Sequence, residues 1–255
     1  MSVLLNYKQE GQGQTVVLIH GLFGSFSNLG LLARDLAQDH TVISVDLRNH
    51  GLSFHSETHN YEVMAQDVAN LLGDLNIGPA LVIGHSMGGK VAIKLADIAP
   101  EFVNRLVVLD MAPVSYQINR HDNVFSGLQA VIKEQPSNRQ QTMDILAQHI
   151  EIDGVRQFLS KSLYKNGDKM AWRFNVVSLL NNYDDIIGWQ EIAPTEIPTL
   201  FVKGGDSDYL MPEHQPAVKR QFINAKAHII ANTGHWLHAE KPAEVMRVIR
   251  KFISS

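Results

Sequence analysis

The chain has 255 residues, of which 45% are hydrophobic and 19% are charged, a composition that supports a sizeable core and excludes a disordered or fibrous protein. Lys and Arg total 22 against 26 Asp and Glu, so the net charge of -4 offers no basic surface for nucleic acid and favours a small-molecule partner. Because the chain has no cysteine, a disulfide framework, a thiolate metal site and a cysteine nucleophile are excluded.

The beginning of the chain has no basic segment followed by a long apolar one, so no secretory signal is visible. The apolar run from Val16 to Ile19 is far shorter than the roughly 20 residues that span a bilayer. We therefore expect a soluble, cytoplasmic protein without a membrane span.

Short apolar runs alternate with segments of helical periodicity along the chain. The predicted strands are residues 15–20, 40–47, 80–84, 105–109, 199–203 and 226–230. The predicted helices are residues 27–38, 61–76, 87–98, 212–222 and 242–253. Several runs are apolar nearly throughout, as in strands buried on both faces, so this order predicts an α/β fold with a mostly parallel sheet flanked by helices. Ligands of such sheets bind at the carboxyl ends of the strands.

The alternation stops once, between Pro113 and Pro194. This stretch contains helical patterns and no convincing strand, and the sheet resumes at Ile197. The helical patterns include residues 138–150, 155–164 and 172–180. We therefore predict a core formed by residues 1–112 and 195–255, with residues 113–194 inserted as a helical cap.

A serine stands at a sharp turn after one predicted strand, in the sequence Gly84-His85-Ser86-Met87-Gly88-Gly89. Glycines two positions to either side allow the strand and helix backbones to approach closely, and the turn raises the Ser86 hydroxyl above the sheet. The start of the next helix offers unpaired N–H groups to a developing anion. The pattern predicts a nucleophile elbow with Ser86 as the nucleophile.

A serine hydroxyl needs a base, and His235 is the candidate because it follows the last predicted strand through a loop that contains a glycine. His238 completes a His-x-x-His pair, but no third ligand is evident, so we expect no metal. The first strand ends in His20-Gly21-Leu22-Phe23-Gly24-Ser25, where a backbone N–H can join that of Met87 in holding an oxyanion. Leu22 is the first choice for this donor and Phe23 the second.

These glycine, serine and histidine motifs, in this order, resemble those of α/β hydrolases over essentially the whole chain. Four segments are more narrowly similar to the YbfF-type esterases: residues 20–25, 46–53, 110–114 and 234–242. The resemblance implies an α/β-hydrolase fold and hydrolysis of carboxylic esters or thioesters without a cofactor. It also implies that the helical insertion covers the site.

Two aspartates compete for the acid that orients His235. Asp208 lies in the loop after the strand at 199–203, where most α/β hydrolases carry their acid. Asp110 ends the preceding strand, beside the nucleophile strand, and Asp206 is a weaker third candidate. The resemblance to the YbfF-type esterases favours Asp110, because that branch keeps Asp-x-x-Pro-Val at this position.

The expected activity is hydrolysis of small to medium acyl esters through a Ser-His-Asp triad and an acyl-enzyme intermediate. We expect Phe23, His85, Trp172 and Trp236 to contact the substrate, and a structural role for Arg48 in preference to anion binding. An acyl-CoA or other thioesterase, or a carbon–carbon bond hydrolase, would use the same triad. A non-catalytic ligand-binding module is the remaining alternative, although such proteins often lose a catalytic residue.

Overall fold

The computed structural model describes residues 4–254, within which there are nine strands. They are β1 (Tyr7–Glu10), β2 (Gln14–Ile19), β3 (His40–Val45), β4 (Ala80–His85), β5 (Val103–Leu109), β6 (Leu163–Asn166), β7 (Lys169–Trp172), β8 (Thr199–Gly204) and β9 (Ala225–Ile230). Seven of them form one sheet in the order β1-β3-β2-β4-β5-β8-β9, in which β1 alone runs antiparallel to its neighbour. The other two, β6 and β7, form a separate antiparallel hairpin.

Eleven α-helices occur in the same described part of the chain. They are α1 (Gly30–Leu36), α2 (Tyr61–Asp74), α3 (Met87–Ile98), α4 (Asp122–Glu134), α5 (Arg139–Ala147), α6 (Asp153–Ser160), α7 (Val176–Asn181), α8 (Tyr183–Ile187), α9 (Gln215–Gln221), α10 (Leu237–Glu240) and α11 (Pro242–Ile253). Short 3-10 turns precede α1 and α9, so the predicted helices there begin in a tighter turn.

Helices cover both faces of the main sheet, which is why its central strands are apolar on both sides. All six residues of β4 are buried. One face packs against apolar side chains of α2 and α3, including Met64, Val68, Leu72, Val91 and Leu95. The other packs against α1 and α11 through Leu32, Leu36, Val245, Ile249 and Phe252. The sheet is therefore the middle layer of three, with a hydrophobic core on each side.

The predicted α/β architecture is confirmed. All six predicted strands are present within two residues of their predicted ends, and the predicted helices at residues 87–98 and 242–253 coincide with α3 and α11. The sequence did not predict β1, because three of its four residues are exposed and it lacks the apolar run that marks a buried strand.

The insertion between β5 and β8 contains α4 to α8 and the hairpin of β6 and β7. The expectation of no strand there is wrong. The predicted helix at residues 172–180 is also wrong at its start, because Trp172 ends β7 and α7 begins only at Val176. The first three residues and the last residue of the predicted core segments lie outside the described residues. Among residues 4–254, no helix has both the length and the apolar character needed to cross a bilayer.

Candidate active site

Ser86 lies at the tight turn between β4 and α3 and borders a cavity. Its backbone is strained, with φ 54° and ψ -124°, a conformation that non-glycine residues rarely adopt. A Cβ atom added at Gly84 would lie 2.1 Å from the Gly88 carbonyl oxygen, and one added at Gly88 would lie 2.3 Å from that of His20. Glycine is therefore required on both sides of the serine, as the sequence predicts.

His235 forms hydrogen bonds at both ring nitrogens. Nε2 lies 2.8 Å from Ser86 Oγ, and Nδ1 lies 2.7 Å from Asp110 Oδ2. Because a carboxylate only accepts, Nδ1 is the donor in the second bond, which leaves Nε2 free to accept the serine proton. The structure thus brings Ser86, His235 and Asp110 into one hydrogen-bonded chain, although they come from three different strand ends.

Asp110 is fully buried at the end of β5, and its carboxylate accepts three hydrogen bonds. Gly204 N–H donates to Oδ1 at 2.9 Å, while the Ser207 hydroxyl and His235 Nδ1 donate to Oδ2. The backbone N–H of Asp110 donates to Val202 O at 2.8 Å and anchors the residue to β8. Three donors compensate the loss of water around this buried charge and fix its orientation toward His235.

The two other candidate acids lie elsewhere, and neither hydrogen-bonds to His235. Asp208 is 63% exposed, and both of its oxygens lie 2.6 Å from Arg120 Nη1. The hydrogen bond from Arg120 lowers the pKa of Asp208, opposed by its partial burial. Asp206 is exposed at the surface. Between them stands Ser207, which sequence reasoning missed and which supplies a donor to Asp110.

The loop after β2 presents one free backbone donor beside the serine. Among the described residues, neither Leu22 N–H nor Met87 N–H has a hydrogen-bond partner. Phe23 N–H, the second candidate donor, instead donates to His50 Nε2 at 3.1 Å and is therefore not free to bind an oxyanion. Leu22 and Met87 both border the cavity that contains Ser86. Their N–H groups can together receive an oxyanion.

His50 holds this loop in an unusual backbone conformation and was missed as a site residue. It lies in the segment 46–53, where the dipeptide His50-Gly51 has the same sequence as His20-Gly21. Its Nδ1 lies 3.0 Å from Arg48 O and donates to it, which leaves Nε2 as the acceptor for Phe23 N–H. Burial holds the pKa of His50 well below its usual range, so the ring stays neutral. Phe23, at φ 61°, is thereby fixed in the left-handed region.

The cavity over Ser86 and His235 has a volume of about 350 Å³ and is mostly apolar. Three of the four predicted substrate contacts border it, namely Phe23, His85 and Trp236. The insertion between β5 and β8 contributes further apolar lining, including Val124, Ile150, Val155, Phe158, Leu159 and Ile186. The cavity suits an acyl group, because apolar walls surround a small number of polar groups at one place.

Trp172, the fourth predicted contact, does not reach this cavity, and that expectation is wrong. Its ring stacks on Phe174 with a centroid distance of 5.2 Å and an interplanar angle of 13°. Its Nε1 donates to Leu128 O at 3.4 Å. Trp172 is therefore packed inside the insertion, against Phe174 and the α4 residue Leu128.

Arg48 and His238, two polar residues considered from the sequence, are both engaged in contacts within the protein. Arg48 forms a bidentate ion pair with Asp67: Nε donates to Oδ2 at 2.5 Å and Nη2 donates to Oδ1 at 2.8 Å. This pairing agrees with a structural role for Arg48. His238 is buried against His85, with ring centroids 4.3 Å apart, and burial lowers its pKa to about 3. Among residues 4–254, no group of three or more His, Cys, Asp or Glu side chains is arranged to hold a metal ion.

The seven-stranded sheet with one antiparallel edge strand, and the strained serine turn after its central strand, are the architecture of the α/β hydrolases. The chain belongs to the alpha/beta hydrolase family, whose family model matches residues 16–248. The expected family is therefore confirmed.

The chain is similar over nearly its whole length to known esterases and lipases. The chain is 46% identical to Esterase YbfF of Escherichia coli K12, over 94% of this chain and 92% of that protein. It is 37% identical to the mouse sn-1-specific diacylglycerol lipase ABHD11, over 94% of this chain and 80% of that protein. A solved structure described as a marine microorganism esterase matches with a TM-score of 0.94 and 32% identity, covering 98% of this chain and all of that one. The predictions of YbfF-type resemblance and of a carboxylic ester hydrolase are confirmed.

Proposed function

We propose that this esterase hydrolyses small to medium acyl esters through a covalent acyl-enzyme formed on Ser86. The observation that carries the proposal is the continuous chain of hydrogen bonds from Ser86 Oγ through His235 to the buried carboxylate of Asp110. Such a chain activates a hydroxyl that is otherwise a poor nucleophile. It also argues against a non-catalytic binding module, which has no need of an aligned base.

In the first half of the reaction His235 Nε2 accepts the Ser86 proton while Oγ attacks the ester carbonyl carbon. The N–H groups of Leu22 and Met87 stabilise the negative oxygen of the tetrahedral intermediate. Asp110 stabilises the imidazolium form of His235, which then gives its proton to the departing alcohol. Ser86 is left acylated, and the alcohol leaves the cavity.

In the second half His235 accepts a proton from water, and the resulting hydroxide attacks the acyl carbon. The same two N–H groups stabilise the second tetrahedral intermediate. His235 then returns the proton to Ser86 Oγ as the carboxylic acid departs, and the enzyme is restored. We propose further that residues 113–194 act as the cap over this site and residues 1–112 and 195–255 as its core. The cytoplasmic location stays a prediction.

The proposal is tested with p-nitrophenyl esters of increasing acyl length and with acyl-CoA thioesters. We expect hydrolysis of the esters by the wild type, loss of about 10³-fold or more in Ser86→Ala, and no loss in Ser137→Ala, which changes an exposed serine outside the cavity. A fluorophosphonate should label the wild type and not Ser86→Ala. Ester hydrolysis that survives in Ser86→Ala would refute the nucleophile. Faster turnover of thioesters than of esters would shift the proposal to a thioesterase with the same triad.

A further inference from the structure

The aromatic ring of Tyr209, in the loop after β8, stacks on the imidazole of His235. The two rings are stacked, with centroids 3.9 Å apart and an interplanar angle of 22°. Two further rings are near the imidazole: His85 at 4.8 Å with an interplanar angle of 43°, and Trp236 at 6.3 Å with an angle of 57°. Of the three rings, Tyr209 alone lies parallel and in full face contact with His235.

The hydrogen bonds of His235 leave one motion of its ring unopposed. Nε2 and Nδ1 are tied to Ser86 and Asp110, and these two bonds define an axis across the imidazole. Rotation of the ring about that axis lengthens neither bond at first, yet it tilts the Nε2 lone pair away from the serine proton. A flat group pressed against one face of the ring blocks this rotation, and Tyr209 occupies that position.

Tyr209 is itself held from several directions. Its carbonyl accepts a hydrogen bond from Tyr116 OH at 2.6 Å, and its N–H donates to Ser207 Oγ at 3.3 Å. The guanidinium of Arg120, from the cap, lies 4.6 Å from the ring centroid, and Asp208 fixes Arg120 by the ion pair described above. A cation over an aromatic face is attractive, so the cap holds the ring in place over His235.

We propose that Tyr209 is a positioning residue whose ring, held by Arg120 of the cap, keeps the His235 imidazole in the plane shared by Ser86 Oγ and Asp110 Oδ2. The loop after β8 then supports both partners of the serine: Ser207 hydrogen-bonds to the acid, and Tyr209 stacks on the base. This inference rests on the proposed roles of Ser86 and His235.

The test compares Tyr209→Leu with Tyr209→Phe on a p-nitrophenyl ester. The phenylalanine keeps the flat ring and removes only a hydroxyl that has no hydrogen-bond partner among residues 4–254. Leucine removes the aromatic ring that stacks on His235. We expect kcat to fall about 10- to 100-fold in Tyr209→Leu with KM changed less than about threefold, and Tyr209→Phe to restore most of the lost kcat. The rate of fluorophosphonate labelling should fall in parallel with kcat.

Thermal unfolding followed by circular dichroism checks that each variant is folded, and Tyr209→Met is a second probe, because its flexible thioether fills the space without a flat face. Wild-type kcat in both Tyr209→Leu and Tyr209→Met would overturn the inference. So would an equal loss in Tyr209→Phe and Tyr209→Leu, or an effect confined to KM. Ser86→Ala in the same assay separates the two proposals: if it stays active, the proposed function fails, and if it is inactive, these outcomes bear on Tyr209 alone.

Discussion

Asp110 is the residue at which the proposed site departs from the commoner placement of the acid after the following strand. Its carboxylate is fully buried and meets three donors, one of which is His235. The carboxylate of Asp208 is mostly exposed and forms an ion pair with Arg120. A buried, oriented carboxylate keeps the imidazole in the tautomer that accepts the serine proton, and an exposed one on a neighbouring loop has no such effect.

We predict that Asp110→Asn lowers kcat by about 10⁴-fold, because the amide presents no negative charge to the imidazolium and favours the wrong tautomer. Asp208→Asn is the matched control and should cost less than about tenfold, since it disturbs only a partly exposed ion pair with Arg120. Steady-state kinetics on a p-nitrophenyl ester measures both. Equal, small losses in the two variants would contradict the assignment of the acid.

At His50 a neutral ring accepts the backbone N–H of Phe23 and holds the loop that carries Leu22. We predict that His50→Phe lowers kcat about 10- to 100-fold with little change in KM, because the loop relaxes from its strained conformation and the Leu22 N–H moves out of line. His50→Gln offers an oxygen acceptor to the same N–H and should recover part of the loss. Unchanged kcat in His50→Phe would show that the loop holds its shape without this bond.

At the residue scale the sequence predicted Ser86 and His235 from local motifs alone, because a strand-to-helix turn and a loop after a strand are local features. Asp110 needed the family resemblance, since its chemistry depends on donors 94 to 125 residues away. Ser207, Tyr209 and His50 were missed for the same reason. Each acts through a contact between two loops, and nothing in its neighbouring residues indicates that contact.

Helix α3, which begins after Ser86, carries a lysine buried in the core. Lys90 has no exposed surface, and its Nζ donates to Ile187 O at 3.3 Å and to Gly188 O at 3.0 Å. The aromatic rings of Tyr61, Tyr116 and Trp189 lie 4.8 to 5.8 Å from the ammonium. Lys90 therefore ties the nucleophile helix to the segment that returns from the cap. Burial lowers the pKa of this lysine to about 7.

The pKa of Lys90 makes the stability of the fold depend on pH. An unfolded lysine titrates at 10.5 and the folded one at about 7, so between these values the unfolded state binds the additional proton. We therefore expect the free energy of unfolding to rise with pH over this range, by up to about 1.4 kcal/mol per pH unit, and this gain to be lost as the pH falls back toward 7. Above about pH 10 the buried tyrosines oppose the trend, because their raised pKa values keep them protonated only in the folded state.

We predict that Lys90→Met flattens the rise in unfolding free energy between pH 7 and 9, because methionine has no proton to release. The exposed Lys251→Met is the control and should keep the wild-type slope. Urea unfolding at pH 7, 8 and 9 measures the three proteins. An unchanged slope in Lys90→Met would mean that Lys90 keeps its proton throughout this range.

Among the secondary-structure elements, those with a strong apolar period were predicted well, and the errors lie where the period is weak. The hairpin of β6 and β7 is partly exposed and each strand has four residues, so neither gives the longer apolar run that marks a buried strand. Its turn did carry a signal: the two loop residues are Gly167-Asp168, a dipeptide common in hairpin turns, and Gly167 has φ 60°. The helix predicted over residues 172–180 merged the end of β7 with α7, because both bury apolar residues at similar spacing.

On the scale of the whole molecule, the insertion leaves the sheet after β5 and returns to it at β8, and these two strands are paired neighbours. The cap is thus attached at the place where Asp110 meets Gly204 and Ser207. The cap also contributes Arg120 to the stack over His235. The insertion and the loop after β8 therefore both contribute to the surroundings of His235: Arg120 lies over the Tyr209 ring, and Tyr209 stacks on His235.

The contacts of the site join segments that are synthesised at different times. Gly204 and Asp110 are 94 residues apart in the chain, and His235 and Ser86 are 149 apart, so these contacts close long loops. During synthesis, which proceeds at about 5 to 20 residues per second, Ser86 emerges well before the loop after β9 that carries His235, its proposed base. A nascent chain that ends within the insertion contains the proposed nucleophile but lacks His235, the proposed base. On the proposed mechanism, the chain gains activity only after β8, β9 and the loop that carries His235 have been made.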